Sequence, residues 1–505
     1  MTDSKLMKLQ NGSDIRGVAL EGIKDEKVNL SESECNRIAQ AFVLWLAKKT
    51  GKKPENLTIG VGRDSRLSGP ALEKAVIQGL SAAKALPACC SLATTPAMFM
   101  SIVFEQTHFD GSIMITASHL PFNRNGLKFF DADGGLEHDD ITEILAAARE
   151  LSPIEKDISN CKSFDLIGIY AEHLRNTIKS GINSGDKPLT GLKIIVDAGN
   201  GAGGFFAEKI LQELGADTTG SQFLNPDGAF PNHIPNPENP EAMRSIQSAV
   251  IKNNADLGLI FDTDVDRMSA VLPDGTEVNR DAIIAMSAAI LAPAYPGSTI
   301  ITDSVTSDRL TYFLENILKL KHLCYKRGYK NVINKCKELN AKGIVSPLAM
   351  ETSGHGALKE NYYLDDGAFL GVKLIIALAN EKKAGKNLAG LIEKLPPLVE
   401  AKEFRFKILA ENFKDYGNKV LTEFKERAEQ AGYKLPVSYE GIRLSFNTEE
   451  VQGWALLRLS LHDPVMPLNI EGARNGDLEK IKAIVKQLIS GFTELDTQGV
   501  FDKEA

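Results

Sequence analysis

The feature that most constrains this chain is a repeated unit: a short apolar run, a turn rich in glycine or carboxylates, then a helical stretch. Leu57-Thr-Ile-Gly-Val-Gly62 reaches a turn at Arg63, and Ala71–Lys84 has helical spacing. Gly111-Ser-Ile-Met-Ile-Thr116 reads as a buried strand that ends at Ser118. Leu192-Lys-Ile-Ile-Val-Asp197 ends in Gly199-Asn200-Gly201, with a helix expected from Phe205. Ala255-Asp-Leu-Gly-Leu-Ile-Phe261 ends at Asp262, and Ser298-Thr-Ile-Ile-Thr-Asp303 precedes a helix through Leu310–Leu318. This alternation predicts layered α/β structure. Ligands in such layers gather at the carboxyl ends of strands, which is where the unusual residues of this chain fall.

At 505 residues the chain has room for three or four domains, at roughly one per 150 residues. Asn225–Pro240 is rich in Pro and Asn and reads as a long loop, and Lys394-Leu-Pro-Pro-Leu398 reads as a boundary. Beyond it come Phe404-Arg-Phe-Lys-Ile408, a helix expected over Asn412–Gly432, and strand-like runs around Ile442 and Leu456. That order predicts a smaller α+β domain. The net charge of −8 argues against a broad nucleic-acid surface, so any anion site must be locally basic. The six cysteines form no CxxC pair, which fits reduced thiols in a cytoplasmic protein. Met1–Leu9 lacks the apolar core of a secretory signal. No apolar run approaches the roughly 18 residues that a membrane span needs.

Asp262-Thr-Asp-Val-Asp-Arg267 is the most chemical-looking run. Carboxylates at every second position of an extended loop lie on one side and can converge on one cation. Three hard oxygen donors suit Mg²⁺, which keeps coordination positions for phosphate oxygens. An EF-hand loop also begins D-x-D-x-D, but its glycine position here is Arg267 and its closing glutamate position is Pro273. A solvated acidic turn is the plainer reading, yet three packed carboxylates repel one another without a cation. Ser118, at a strand end in Thr116-Ala-Ser-His-Leu-Pro-Phe-Asn-Arg-Asn-Gly-Leu-Lys128, has the placement of a nucleophile. No G-x-S-x-G elbow surrounds it, which argues against a lipase-like hydrolase.

Taken together and in order, these runs resemble the α-D-phosphohexomutase family over nearly the whole chain. Asn11-Gly-Ser-Asp-Ile-Arg-Gly17 and Gly62-Arg-Asp-Ser-Arg66 are similar to its opening loops. Thr116–His119 with Pro121 and Asn125–Lys128 resembles the phosphoserine loop. Asp197-Ala-Gly-Asn-Gly201 and Asn225-Pro-Asp-Gly228 resemble turns of the second domain, Asp262–Arg267 the magnesium loop, and Glu351-Thr-Ser-Gly-His355 the sugar-binding loop. The resemblance implies four domains around a central cleft: three α/β layers with mixed sheets, at 1–165, 166–275 and 276–397, and a C-terminal α+β domain at 398–505.

It also implies an activity, the interconversion of hexose 1-phosphate and hexose 6-phosphate on glucose or mannose. Ser118 would rest as phosphoserine and pass its phosphoryl group through a hexose 1,6-bisphosphate, which is also the activator. One Mg²⁺ per chain would sit on Ser118, Asp262, Asp264 and Asp266. Lys128 and Arg267 would add positive charge at the transferring group. Candidates for the general base are Lys128, His355 and the loop Lys326-Arg-Gly-Tyr-Lys330. Substrate contacts would come from Arg16, His119, Arg327, Tyr329, Lys330, Glu351, Ser353, Arg458 and Ser460. The expected partner is a small phosphosugar, with no nucleic acid and no membrane, and the enzyme would be a monomer or homodimer.

One segment departs from the family. Its Arg-Pro-Ser-Gly-Thr-Glu-Pro phosphate loop aligns with Arg458-Leu-Ser-Leu-His-Asp-Pro464, so Leu461 replaces the glycine and His462 the threonine, while Pro467 stands where a further arginine is frequent. Glycine lets backbone N–H groups approach a phosphate, whereas leucine restricts φ. A remodelled phosphate site is therefore expected, with His462 or Arg443 supplying charge. Thr263 also stands where glycine is common in the magnesium loop. Two alternatives follow: a mutase for another phosphosugar such as glucosamine phosphate, or a non-catalytic sugar-phosphate binder. The intact Ser118, acidic triplet and Glu351 loop favour catalysis over the binder.

Overall fold

The structure is a computed structural model that describes residues 6–158, 161–460, 463–497, 499 and 501. The chain forms two compact units. One holds the residues up to Ile283 together with Ser353–Leu391, and the other Ile284–Thr352 with the residues from Ile392 onward.

In the first unit, Thr58–Arg63 lies between two parallel neighbours, Leu86–Leu92 and Gly111–Ile115. Arg124–Asp131 adds antiparallel to Gly111–Ile115, and Asp14–Val18 adds antiparallel to that. The sheet is therefore mixed. The reversal brings the residues after Ile115 back beside Gly126 and Leu127, so Ser118 and Lys128 sit at one end of adjacent strands. Helices Glu32–Thr50, Gly69–Ala82 and His138–Arg149 bury an apolar core against this sheet. The first of these begins with a reciprocal cap, in which Ser31 N donates to Glu34 Oε2 at 3.0 Å and Ser33 N donates to Ser31 Oγ at 3.2 Å. The expected helix over Ala71–Lys84 spans Gly69–Ala82. Pro70 starts it early, because the first turn needs no N–H there, and Lys84 at φ 71° ends it.

A second sheet in the same unit pairs Ile194–Asp197 parallel to Leu257–Phe261, which pairs antiparallel to Met268–Val271. The acidic run is thus the loop of a β-hairpin. The helix expected from Phe205 is wound as a π-turn over Phe206–Leu211, with Gln212 N donating to Ala207 O at 3.1 Å. Its aromatic pair packs against Tyr170 and Phe261, at ring-centroid distances of 6.0 and 5.2 Å.

In the second unit, Thr299–Thr302 lies between parallel strands Lys321–Cys324 and Leu348–Met350. The expected helix through Leu310–Leu318 is an α-helical turn, Asp308–Tyr312, that widens into a π-turn, Phe313–Ile317. The C-terminal region is antiparallel throughout, in the order Ile442–Asn447, Gln452–Leu457, Val465–Gly472, Glu400–Ile408, Leu495–Asp496. Phe404, Phe406 and Ile408 face its core while Arg405 and Lys407 face out, the period-2 pattern of a half-buried strand. Helices Phe413–Gln430 and Asp477–Leu488 cover the apolar face. No described helix is long and apolar enough to cross a membrane.

Phe42 is fully buried and packs on Phe129 at 4.9 Å between centroids. Phe42→Ala is expected to lower the stability of the first unit by about 3–5 kcal/mol. Val437→Ala, at a position 85% exposed, is expected to stay within about 0.5 kcal/mol. Differential scanning calorimetry of the two variants checks the contrast.

Candidate functional site

The serine loop is organised by a buried arginine. Arg66 is fully buried, and its guanidinium donates to the carbonyls of Ser118, Leu120 (2.6 Å), Pro121 (2.8 Å) and Arg124 (3.0 Å). Its charge is met by Asp64, with Nε 3.3 Å from Oδ2. Asp64 Oδ2 also accepts from Thr116 Oγ1 at 2.7 Å, and Thr116 Oγ1 accepts from Ser118 N at 2.8 Å. One ion pair therefore fixes the whole turn. It holds Ser118 at φ 51°, a left-handed conformation uncommon outside glycine, and points its hydroxyl at the acidic hairpin loop.

That loop is pinned by close backbone approach. Ala202 N donates to Thr263 O at 2.8 Å, Thr95 N to Asp264 O at 2.9 Å, and Gly367 N to Val265 O at 3.0 Å. A Cβ on Gly201 would lie 2.6 Å from Thr263 O, and one on Gly367 would lie 2.6 Å from Arg267 O, so both positions require glycine. Val265 takes φ 65°, a strained choice for a β-branched residue. The left-handed position of the loop falls there and not at Thr263, so threonine fits where glycine is common in the family.

Ser118 Oγ donates to Asp262 Oδ2 at 2.9 Å and accepts from Arg267 Nη2 at 3.0 Å. His119 Nδ1 lies 3.3 Å from the same oxygen and against the Arg267 guanidinium. Lys128 Nζ is 2.5 Å from Asp266 Oδ2 and 3.5 Å from Asp264 Oδ2. His355 Nε2 is 3.6 Å from Asp266 Oδ1, and its Nδ1 is 2.9 Å from Ser353 Oγ. Arg16 donates to Thr116 O at 2.6 Å and pairs with Asp14.

Burial, then Asp266 and Asp264, push the Asp262 carboxyl well above the usual range. Burial opposes charge on Asp266 as well, but Lys128, His355 and Arg267 outweigh it and hold that carboxyl well below. The Lys128 ammonium is raised well above its ordinary value, because Asp266, Asp264 and Asp14 outweigh its burial. Burial, then Arg267 and Arg16, push His119 down to about 2, so its imidazole is neutral.

Asp262, Asp264 and Asp266 are all buried and each offers an oxygen within 4.8 Å of the others. Asp264 Oδ1, fully buried, has no hydrogen-bond partner among the described residues. An unpaired carboxylate oxygen facing two further carboxylates fits a hard divalent cation.

The second unit gathers a different set. Glu351 Oε1 accepts from Gly328 N at 2.6 Å. Tyr329 and Lys330 open the helix Tyr329–Ala341 beside it. Glu440 Oε2 accepts from Arg327 N at 3.0 Å and from Ser304 Oγ at 2.6 Å. Arg458, only 8% exposed, lies 3.8 Å from Glu440 Oε1 and 3.8 Å from Glu403 Oε2, while its Nε has no partner among the described residues. Burial, then the neighbouring Arg327 charge, lower the Arg458 pKa. Ser460 N donates to Val465 O at 3.0 Å, and its Oγ accepts from Asp463 N at 3.3 Å. The expected substitutions at Leu461 and His462 lie outside the described residues.

Sequence reasoning named Arg443 as a compensating cation. Instead it is a structural clamp: its guanidinium stacks 3.9 Å over Trp454, donates to Asp308 Oδ1 at 2.9 Å, and reaches the carbonyls of Ser304 and Thr306 at 3.3 Å. The parts of Asp64 and Arg66 within the Gly62–Arg66 motif are not among the expected site roles, nor is that of Thr95, whose Oγ1 donates to Asp264 Oδ2 at 2.5 Å. Glu440 is not among them either. Two opposite charges two residues apart, Asp64 and Arg66, were the available signal for the first pair. Thr95 and Glu440 carry none.

Family models for phosphoglucomutase/phosphomannomutase match three segments of the chain: alpha/beta/alpha domain I at residues 7–153, domain II at 169–275 and domain III at 279–398. A phosphoglucomutase of Neisseria gonorrhoeae is 31% identical over 487 residues, covering 94% of this chain and 95% of the relative. A phosphomannomutase/phosphoglucomutase of Pseudomonas aeruginosa is 28% identical, covering 88% and 90%. The crystal structure of a phosphoglucomutase/phosphomannomutase family protein from Burkholderia thailandensis is similar with a TM-score of 0.77 at 26% identity, covering 95% of this chain and 96% of that one.

Because burial and its neighbours push the Asp262 carboxyl well above the usual range, Asp262→Asn is expected to leave the cation-free protein as stable or more so, while weakening stabilisation by cation. Mg²⁺ at about a hundred times its Kd should stabilise the wild type by about 2.7 kcal/mol and the variant by under about 1 kcal/mol. Thermal unfolding with and without Mg²⁺ measures both.

Proposed function

The chain belongs to the α-D-phosphohexomutase family, and from that premise we propose that it interconverts the 1- and 6-phosphates of a hexose, glucose first and mannose beside it. In this reading Ser118 rests as phosphoserine, and a hexose 1,6-bisphosphate is both the intermediate and the activator that reloads it. The observation that carries the reading is the setting of the Ser118 hydroxyl, buried between a carboxylate of the acidic triplet at 2.9 Å and the Arg267 guanidinium at 3.0 Å. A protein that only bound sugar phosphates would gain nothing from a serine so placed.

Phosphoryl transfer depends on positioning and charge more than on covalent novelty. A sugar hydroxyl attacks the phosphorus of phosphoserine and gives its proton to a base. The P–Oγ bond breaks and its electron pair stays on Ser118 Oγ, where Arg267 stabilises the charge. Lys128 stays protonated beside Asp266 and Asp264 and acts as a fixed cation. The proton acceptor then comes from the two remaining candidates, His355, oriented by Ser353, and the basic loop Lys326–Lys330. The bisphosphate reverses, and the other phosphoryl returns to Ser118 by the same steps run backwards. Asp262, Asp264, Asp266 and Ser118 would hold Mg²⁺, which supplies positive charge to the phosphoryl oxygens when bound. Glu351, a carboxylate able to accept two vicinal hydroxyls, suits both orientations of the sugar. The buried Nε of Arg458, with Arg327 beside it, suits the phosphate that is not reacting.

Intact-mass analysis is expected to find one phosphate on the wild type and none on Ser118→Ala, which should also lose turnover across a panel of hexose 1-phosphates with Mg²⁺ and a trace of bisphosphate. Full turnover by the variant would remove the phosphoserine from the mechanism. Arg458→Ala is expected to raise KM by roughly ten- to a hundredfold, the worth of a charged hydrogen bond, with kcat nearly unchanged. Steady-state kinetics on the best substrate of the panel decide this, and an unchanged KM would mean that the phosphate is held elsewhere.

A further inference from the structure

The loop between Asn225 and Glu238 is absorbed by neither the chemistry nor the binding of substrate, yet it touches both halves of the Ser118 site. At its start, Asn200 Nδ2 donates to Asn225 O at 2.9 Å, Asp227 N donates to Asn200 O at 2.8 Å, and Asn232 Nδ2 donates to Asn200 Oδ1 at 2.7 Å. Asn200 is followed by Gly201, which abuts Thr263 of the acidic loop. In its middle, a Cβ on Gly228 would lie 2.4 Å from Leu67 N and 2.5 Å from Ser65 O. The Phe230 ring lies 5.4 Å from the Arg66 guanidinium, the group that holds the serine loop. At its end, Glu238 Oε2 is 3.9 Å from Arg267 Nη1.

The loop is closed onto the sheet by one histidine. His233 is 6% exposed, and its Nε2 lies 3.0 Å from both oxygens of Asp197, while its Nδ1 lies 2.9 Å from Ile234 O. Both ring nitrogens face atoms that only accept, so both must carry hydrogen. Asp197 also accepts from Gly199 N at 2.9 Å and from Gln222 Nε2 at 2.6 Å. Gly199 has room for this loop only as glycine, since a Cβ there would lie 2.8 Å from Pro235.

We propose that the loop from Asn225 to Glu238 is a brace that keeps the serine loop and the acidic loop in register, clasped shut by a charged His233–Asp197 pair, and that its residues act by positioning. The inference rests on the mutase reading for its effect on turnover, but not for the brace itself.

The sign of the pH dependence follows from the groups facing the imidazole. They are Asp197 from the strand, Glu241 from the helix Pro240–Asn253, and the edge of Phe223 at 5.3 Å between centroids. Burial opposes the charge, but the two carboxylates outweigh it, so the imidazolium is favoured above its ordinary pKa. A group whose pKa is raised by folding contributes below that pKa and stops contributing as pH rises through it. The imidazolium's contribution to the clasp is therefore present below its raised pKa and is lost as pH rises through it.

The test uses His233→Gln, Phe230→Leu and the double variant of the full chain. Hydrogen exchange read by mass spectrometry needs no turnover. Each single variant is expected to speed exchange at least about fivefold in both 116–120 and 262–267, with 404–408 unchanged. In the same preparations kcat is expected to fall about tenfold with KM within about twofold, the pattern of misplaced reacting groups. The double variant should lose little more than either single one, because both act through one brace. The wild type should lose kcat on the alkaline side, and His233→Gln should lack that limb. Unchanged exchange in either loop, additive losses in the double variant, or the same alkaline limb in His233→Gln would each overturn the proposal. If the wild type turns over no hexose phosphate, the mutase reading fails, and exchange alone decides the brace.

Discussion

The interaction on which the site depends is the mutual repulsion of three carboxylates in a place where water does not reach. Asp262, Asp264 and Asp266 alternate along one hairpin loop and are all buried. Among the described residues, Lys128 and Arg267 lie within 3.5 Å of the triplet's carboxylates, and His355 lies 3.6 Å from Asp266. Burial, then the charges of Asp266 and Asp264, drive the pKa of Asp262 up, with Arg267 opposing them. A loop in that state is stable only if its backbone is held from outside or its charge is balanced by something it binds. The chain does the first through close backbone contacts, and the buried triplet could take the second from a metal ion.

Holding the loop from outside explains residues that have no chemistry of their own. Gly201 and Gly367 are places where one backbone passes so near another that a methyl group would collide. Thr95 spends both its N–H and its hydroxyl on Asp264. Val265 takes a conformation that a β-branched residue avoids, and it is held there by the N–H of Gly367. Arg66 does the same work for the serine loop, with Asp64 as the buried counter-charge without which a buried guanidinium is prohibitive. These are costs borne by the scaffold so that one hydroxyl, one guanidinium and three carboxylates meet within hydrogen-bond distance.

Much of this was legible in the sequence, for identifiable reasons. Strands such as Gly111–Ile115 and Leu257–Phe261 are short and apolar, and that pattern survives folding because burial selects it. Asp262, Asp264 and Asp266 could be read as one cluster because an extended loop puts alternate residues on one side. What could not be read was set by contacts distant along the chain. Thr95 and Asp264 are 169 positions apart, and no spacing rule joins them. The π-turns at Phe206–Leu211 and Phe313–Ile317 share the periodicity of ordinary helices closely enough to hide in it. Arg443 was misread because a basic residue near a phosphate motif invites a ligand role. The neighbours that claim it, Trp454 and Asp308, appear only when the sheet is assembled.

Charge placement also explains how a chain with a net charge of −8 can serve an anionic substrate. Bulk charge governs long-range steering, which salt screens over roughly 10 Å. Binding is decided by groups that burial has removed from that screening. Burial, then the neighbouring Arg327, disfavour the charge of Arg458, and Glu440 and Glu403 meet Arg458 only at 3.8 Å, too far for a hydrogen bond. Carboxylates at that distance lessen the cost of the buried Arg458 charge without accepting a hydrogen bond from it. In the proposed reading, the phosphate that is not reacting would complete Arg458, whose Nε has no partner among the described residues. The same logic, with the signs exchanged, governs the triplet in the first unit. Each unit keeps like charges close together and buried, the carboxylates of the triplet in one and Arg458 with Arg327 in the other.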